Sequence, residues 1–478
     1  MKQILIIDCL GSSRRWVLLL VERLEAAGYR VGLSRMDAAP RSGALDRLLR
    51  LEARRLPVGL AARSDEPFPL ALDQPDLVID LTGSAPRQSA PVLQIRFSGH
   101  VGLEDGVTGV FGDPPRPELT VLLDGNVIGA AQPMLDDRIW LTRMTDNLLA
   151  SATTLLAQSV SRYFAGKAVA QSATLVPPAP LGRLQQLYWP NFLRGLGKRL
   201  GNKLLRRKPF YWQVAYRVVD GPAIAQTAAL DGLPFTVLPD DGQRFYADPF
   251  LFEHNGTTWL FVEEFPYSTG KGIISVAQWQ GDGFSTPQPV LEEPHHLSYP
   301  QVFAEGDEIF MLPESSGGSE LVLYRASQFP HRWQRDTVLV SGRELNDATL
   351  LRHDDRFWLF CTERLPGGSA SDTLVILHAE NPRGPWLDHK SNPITIDRRS
   401  ARLGGAFVRA PDGTITLPVQ DGSLGYGGGL GLLHVMKLDD EEVVLSQPEA
   451  IAAGPAWNRQ GIHTLNRMGN IEVVDSAG

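Results

Sequence analysis

Five carboxylates, Glu264, Glu314, Glu363, Asp421 and Asp475, stand at or near the ends of short apolar segments that recur along the second half of the chain. Carboxyl groups gathered at one place can do general acid–base work. They can equally well bond the backbone of a neighbouring strand, and both readings stand for each of the five. Other residues nearby suit polar substrates. Lys271 and Arg402 could neutralise a phosphate or a carboxylate, or enter surface ion pairs. Tyr246, Tyr299 and Tyr426 could stack on a sugar face, or fill the seams between sheets. His296 and His463 are isolated in the sequence and set no metal-ligand spacing, so no metal is expected, and no cofactor motif accompanies them.

The carboxylates belong to a repeat. Its members are ADPFLFEHNGTTWLFVEE from Ala247, SYPQVFAEGDEIFMLPES from Ser298, NDATLLRHDDRFWLFCTE from Asn346, GGAFVRAPDGTITLPVQD from Gly404 and GIHTLNRMGNIEVVD from Gly461, with starts 51, 48, 58 and 57 residues apart. Each is a strand, a polar turn and a second strand. A period near fifty with several short strands per unit describes a β-propeller blade. Five blades over 216–478 close a ring if the last segment pairs with strands near Phe235–Leu238. A two-sheet sandwich with coincidental hairpins is the competing expectation.

Several segments together resemble a known architecture: Tyr246-Ala-Asp-Pro-Phe250, Lys271-Gly272, His296-Leu-Ser-Tyr-Pro300, Pro313-Glu-Ser315, Arg402-Leu-Gly-Gly405 and Gln420-Asp421. They resemble the five-bladed propeller of glycoside hydrolase family 43. More closely, they resemble the propeller-like domain of plant glucosamine inositolphosphorylceramide transferases. The hydrolase resemblance implies Asp248 as general base, with Glu314 or Asp347 as the acid that an inverting reaction requires. It places Tyr246, Glu264, Lys271, His296, Tyr299, Glu363, Arg402, Gln420, Asp421 and Tyr426 around the substrate. One departure matters: Tyr299-Pro300-Gln301 stands where those hydrolases carry a second-blade Asp. That turns the expectation from hydrolysis towards transfer or remodelling of a sugar in glycan or glycolipid assembly, the substrate being nucleotide- or lipid-linked. A glycan-binding propeller that has lost its chemistry is the alternative.

The first 165 residues read as an α/β domain with a parallel sheet. Apolar strands at Ile4–Ile7, Arg30–Ser34 and Leu77–Leu81 alternate with helices at Trp16–Ala27 and Asp146–Ala165. Pro75-Asp-Leu-Val-Ile79, Leu93-Gln-Ile-Arg96 with Gly99, and Leu123-Asp-Gly-Asn126 resemble a formyltransferase domain. Gln94 and Arg96 stand where that family carries its Asn and His, and an arginine cannot shuttle a proton at neutral pH. The resemblance therefore implies a catalytically degenerate relative. No Gly-x-Gly-x-x-Gly follows the first strand, which speaks against a dinucleotide site.

Between the two, residues 166–215 read as a basic connector. From Asn147 to Val219 the chain has eleven Lys and Arg and no Asp or Glu, which leaves about −19 for the rest of a chain whose net charge is −8. Val176-Pro-Pro-Ala-Pro180 is a stiff spacer, and Pro190 suits the first turn of a helix. Phe192, Leu196, Leu200 and Leu204 then form one helical face with basic residues around it. Residues 189–208 could lie on an anionic membrane or pack as a connector. The acidic flanking domains and the lack of a recognition module argue against nucleic acid. Two cysteines, no signal-like N-terminus and no long apolar run give the expectation of a cytoplasmic protein, which residues 189–208 could make peripheral to the inner membrane.

Overall fold

The computed structural model describes residues 1–9, 14–36, 43–64, 72–86, 88–112, 115–168, 184–204, 211–457 and 459–477. It divides into two compact units, Met1–Arg207 with Leu365–Ser369, and Lys208–Arg364 with Ala370–Gly478. The spacer Val176–Pro180 lies outside the described residues.

The first unit carries a six-stranded sheet built from β1 (Gln3–Cys9), β2 (Arg30–Met36), β3 (Leu77–Asp80), β4 (Val92–Phe97), β5 (Leu119–Leu123) and β6 (Asn126–Ala131), in the order β2-β1-β3-β4-β5-β6. The first four strands are parallel, as their continuous apolar runs require. The last two are antiparallel, so the sheet is mixed and not purely parallel. The cause is the turn between them. Asp124-Gly125, part of the segment that resembled a formyltransferase motif, adopts positive φ at both residues, 47° and 88°, and closes a tight hairpin. The Asp124 carboxylate accepts the Val92 N–H at 2.9 Å, a structural duty. Gln94 donates its amide to Asp80 at 3.0 Å.

Helix Arg15–Ala26 ends before Gly28, which takes φ 85° as helix-terminating glycines do. The long helix spans Leu141–Phe164, starting one turn before the expected Asp146. Its opening turn has no side-chain cap of its own. Instead the buried Glu52 carboxylate accepts the N–H of Leu141 at 2.9 Å and of Thr142 at 2.8 Å, and the Tyr188 hydroxyl at 2.9 Å. A further helix, Leu184–Leu204, carries Pro190 in its interior and not in its first turn.

The second unit is a closed ring of five sheets. Blades 1 to 3 run outward from Arg244–His254, Ser298–Glu305 and Glu344–His353 respectively. Blade 4 begins with the short strands Arg402–Leu403 and Val408–Arg409. Blade 5 takes its inner strands, Leu465–Met468 and Ile471–Ala477, from the end of the chain. Its third strand is β7 (Trp212–Val218), paired residue for residue with Ile471–Ala477. Closure is thus made by β7, which straddles the expected boundary at residue 215 between connector and propeller; Thr236–Val237 adds only the outermost strand.

Strand alternation builds this ring. Leu260 and Val262 of blade 1 face the layer shared with Val214 and Val473 of blade 5, while Phe261 between them faces Val302 and Met311 of blade 2. Blades 2 and 3 meet through Leu312 and Leu359, blades 3 and 4 through Phe360 and Leu417, and blades 4 and 5 through Leu430 and Val474. The second strands of the blades are buried on both faces, so segments such as Leu260–Val262 and Phe357–Cys361 read as unbroken apolar runs. A fully buried side chain of this size contributes roughly 1.5–3 kcal/mol.

Candidate active site at the propeller axis

The repeated Ala-Asp-Pro, Ser-Tyr-Pro and Asn-Asp-Ala segments are β-bulges. Pairing slips a register at each, and Asp248, Tyr299 and Asp347 sit at φ 48°, 49° and 47°. Left-handed backbone costs a side-chain-bearing residue about 1–2 kcal/mol. Bulges re-aim side chains, and here they free backbone N–H groups that are satisfied across blades. The Asp248 N–H goes to Asp475 at 3.0 Å, the Tyr299 N–H to Asp248 at 3.3 Å and the Asp347 N–H to Glu314 at 3.2 Å. At the fourth position Gly405 (φ 144°) gives its N–H to the Tyr299 hydroxyl at 2.7 Å. A Cβ there would lie 2.0 Å from the Leu465 carbonyl oxygen, so only glycine fits.

This relay assembles a buried polar cluster. Asp248 accepts the Thr464 hydroxyl at 2.9 Å and lies 3.3 Å from His463 Nε2. His463 Nδ1 is 2.6 Å from Asp475, which also accepts the N–H groups of His463 and Thr464. The imidazole is therefore held between two carboxylates, and its ring stacks on Trp212 at 3.7 Å. Asp248, His463 and Asp475 offer one ligand atom each within 4.8 Å of one another. His463 is isolated in the sequence and not in space.

On the other side, Arg402 Nε donates to Asp347 at 2.6 Å, and its Nη2 lies 3.6 Å from Glu314. Gln420 also donates to Asp347, at 2.9 Å. The Arg402 guanidinium sits 5.1 Å from the centre of the Tyr426 ring, and Tyr426 is 46% exposed.

Glu263 completes the group. It is 7% exposed, on the second strand of blade 1 opposite Ala247, with His296 Nε2 3.5 Å from its carboxylate. His296 Nδ1 accepts the Gly272 N–H at 2.9 Å, so in the neutral ring the proton sits on Nε2, facing Glu263. Gly272 is again obligatory. A Cβ would stand 2.6 Å from the His296 ring and 2.9 Å from the Glu263 oxygen.

Burial drives the protonation of these groups. It raises Asp248 to about 6, an effect that His463 opposes and that Asp475 and Asp347 reinforce. It raises Asp347 to about 7 against the pull of Arg402, with Glu314 adding to the rise. Burial, with Asp248 and Glu314 as like-charged neighbours, lifts Glu263 well above the usual carboxylate range. Burial works against a charged His463, but Asp475 and Asp248 outweigh it and raise its pKa. Burial thus favours the protonated form of both Asp248 and Glu263, and at Asp248 the neighbouring His463 works against it.

The other expected residues have different positions. Tyr246 is buried in the core between blades 5 and 1 and has no ring face to offer a sugar. Tyr299 is fully buried with its hydroxyl bonded to Gly405 and Thr349, filling the centre of the ring. Glu264 points into its own blade, towards Arg244 and Ser275. Glu363 holds Arg343 through two contacts of 2.8 Å. Asp421 caps the turn at Ser423. Lys271 is engaged by Glu292 and the Glu293 carbonyl, and Arg402 by Asp347, so neither cation stands ready for a phosphate.

Sequence reasoning passed over Glu263 and Trp212. The signal for Glu263 was present: it follows Asp248 by fifteen residues, as Glu314 follows Tyr299.

Residues 238–472 match the family model described as glucosamine inositolphosphorylceramide transferase 1, N-terminal. The propeller resembles that domain of the plant transferases. Over 233 residues, 47% of this chain and 31% of the relative, it is 38% identical to glucosamine inositolphosphorylceramide transferase 1 of Oryza sativa subsp. indica. Against the protein of the same name from Arabidopsis thaliana it is 36% identical over 206 residues, 42% of this chain and 26% of the relative. The chain thus spans about a third or less of the length of the curated relatives it matches. Among solved structures, a thermostable family-43 glycoside hydrolase aligns at TM-score 0.36 and 14% identity, covering 44% of this chain and 77% of the hydrolase. A Cellvibrio cellulosa α-L-arabinanase complexed with arabinohexaose aligns at TM-score 0.33 and 16% identity, covering 49% of this chain and 83% of the arabinanase. At these scores the five-bladed fold rests on the strand order itself.

Proposed function

We propose that the propeller acts on a sugar unit of a lipid-linked or polymeric glycan, transferring or remodelling it at the axial cluster. The observation that carries this reading is a pair of buried carboxyl groups in unlike surroundings: burial raises both, but Asp248 has His463 beside it and reaches only about 6, while Glu263 has like-charged neighbours that lift it well above the usual carboxylate range. Such a split assigns a base and an acid. Asp248 takes the proton of an acceptor hydroxyl as its oxygen bonds to the anomeric carbon. Glu263 gives its proton to the oxygen that leaves. Asp347 and Glu314, the acids first expected, are engaged with Arg402 and position it beneath Tyr426, whose exposed ring offers a sugar-stacking face. The names of the plant relatives support a glycosylated inositol-phosphate lipid as the substrate class. The first unit fits a formyltransferase-like domain without formyl transfer, given Gln94 and Arg96 in place of the Asn and His.

A non-catalytic glycan-binding propeller is the second reading. It is favoured by the ties on Asp248, whose oxygens already face Thr464, the Tyr299 N–H and His463. Turnover of nucleotide sugars and aryl glycosides by wild type, Asp248→Asn and Glu263→Gln separates the two. The enzymatic reading expects a fall of at least a hundredfold in kcat for either variant, with glycan binding retained. It also expects wild-type activity to decline as pH falls through about 6, where Asp248 takes up a proton. Glycan binding without turnover in any of the three proteins establishes the second reading.

A further inference from the structure

Helix Leu184–Leu204 has two unlike faces. One is docked on its own unit. Tyr188 is buried against Glu52, Phe192 packs edge-on against Trp140 at 5.3 Å, and Asn191 donates to the Arg138 carbonyl at 2.6 Å. Gly195 passes so close to Ile139 that a Cβ would lie 2.5 Å from it. Arg199 reaches Asp137 at 2.9 Å.

The opposite face is apolar and open. Trp189, Leu193, Leu196, Leu200 and Leu204 follow one another at helical spacing, with exposures of 42, 60, 38, 52 and 81%. Five large apolar side chains in a row on solvent mark an interaction surface. One member of the expected stripe has therefore changed: Phe192 belongs to the docked side, and Leu193 takes its place on the open one beside Trp189.

Charge decides the occupant. Lys203 and Arg194 are exposed on either side of the stripe, Lys198 is exposed on the far side of the helix, and no acidic residue occurs between Asn147 and Val219. A second copy packed on this face would set basic residues against their own kind. An anionic lipid surface would neutralise them while its acyl boundary takes up the leucines. No described helix is long and apolar enough to cross a membrane, which fits a helix lying in the surface plane.

We propose that this helix lies flat in an anionic phospholipid surface, with Trp189, Leu193, Leu196, Leu200 and Leu204 between the headgroups and Arg194 and Lys203 on the phosphates. The inference stands apart from the reading of the propeller site.

The test is co-sedimentation of the full chain with phosphatidylcholine vesicles, with and without phosphatidylserine. The protein should pellet with the anionic vesicles only and be released by high salt. Leu193→Ser with Leu200→Ser should abolish pelleting while the circular dichroism spectrum and Tm stay unchanged, since both side chains are exposed. Arg194→Glu with Lys203→Glu should weaken binding by at least about fivefold per residue, the weight of one charge at such a surface. Failure of wild type to pellet with anionic vesicles overturns the proposal. So does equal pelleting with neutral ones, or a concentration-dependent dimer that the leucine variant abolishes, which would assign the stripe to a second copy.

Discussion

Tyr299 stands at the centre of the ring because a bulge aims it there, and its hydroxyl does what a carboxylate does elsewhere in the relay. It accepts the Gly405 N–H at 2.7 Å and lies 3.0 Å from the Thr349 hydroxyl, so blade 2 is tied to blades 3 and 4. Tyr299→Phe leaves that buried N–H unpaired and should cost about 1–3 kcal/mol in chemical denaturation; a variant as stable as wild type would refute the tie. Gly405→Ala should cost more, about 3 kcal/mol, because a methyl group collides with the Leu465 carbonyl in a backbone conformation that alanine resists. At this scale the sequence was only partly legible. The repeat exposed Asp248, Tyr299 and Asp347 as equivalent positions, since each opens a blade. It did not show that all three take left-handed backbone, which is set by pairing with a second strand. The choice between Glu263 and Glu264 turned on strand direction: neighbours on a strand face opposite ways, so one carboxylate reaches the cluster and the other its own blade.

Among elements, closure of the ring concentrates a large effect in one short strand. β7 pairs with all of Ile471–Ala477, and its Trp212 supports His463. Without it, the C-terminal hairpin would expose a bare edge and lose the core partners Val214 and Ala215. A chain beginning at Lys208 should give a folded propeller with a cooperative thermal transition. A chain beginning at Val219 should lack that transition and aggregate; cooperative unfolding of both would show that β7 is dispensable. The five inner hairpins were readable because each combines short apolar segments with a Gly, Asp or Asn turn. β7 was not, because Trp212–Val218 has no sequence partner nearby and follows directly on the basic stretch. Its strand identity comes from a pairing some 250 residues away in sequence. The mixed character of the first unit's sheet was similarly hidden, although Asp124-Gly125 between Leu119–Leu123 and Asn126–Ala131 is a hairpin signal in its own right.

For the whole molecule, the buried acids make a prediction about pH. Asp248 and Asp347 in the propeller are raised to about 6 and about 7 from 3.8, and Glu263 is raised well above the usual carboxylate range. In the first unit Asp146 is raised to about 6, because burial outweighs the N–H groups of Leu60 and Ala61 that it accepts. A carboxyl group whose folded pKa exceeds its unfolded one binds its proton more tightly when folded. Stability therefore increases as pH falls through 7 and 6, and the gain is complete near the unfolded value. His463 acts in the same direction, since its raised pKa favours the folded state under acid and that benefit is lost as pH rises. Two groups oppose the five raised ones in this window, His296 and His378, whose pKa values burial lowers. Asp46 beside Arg14 and Asp336 beside Arg383 have lowered values and withdraw their support only below about pH 4. Both units should thus be most stable between about pH 4 and 6, with Tm at pH 5 above that at pH 8 by about 2–4 °C for each kcal/mol gained. Asp146→Asn keeps an acceptor for the Leu60 N–H and should flatten the dependence of the first unit alone, and Asp248→Asn that of the propeller alone. Calorimetric scans across that range decide it, and a Tm that climbs steadily from pH 5 to pH 8 would mean that the buried carboxyl groups are ionised in the native protein.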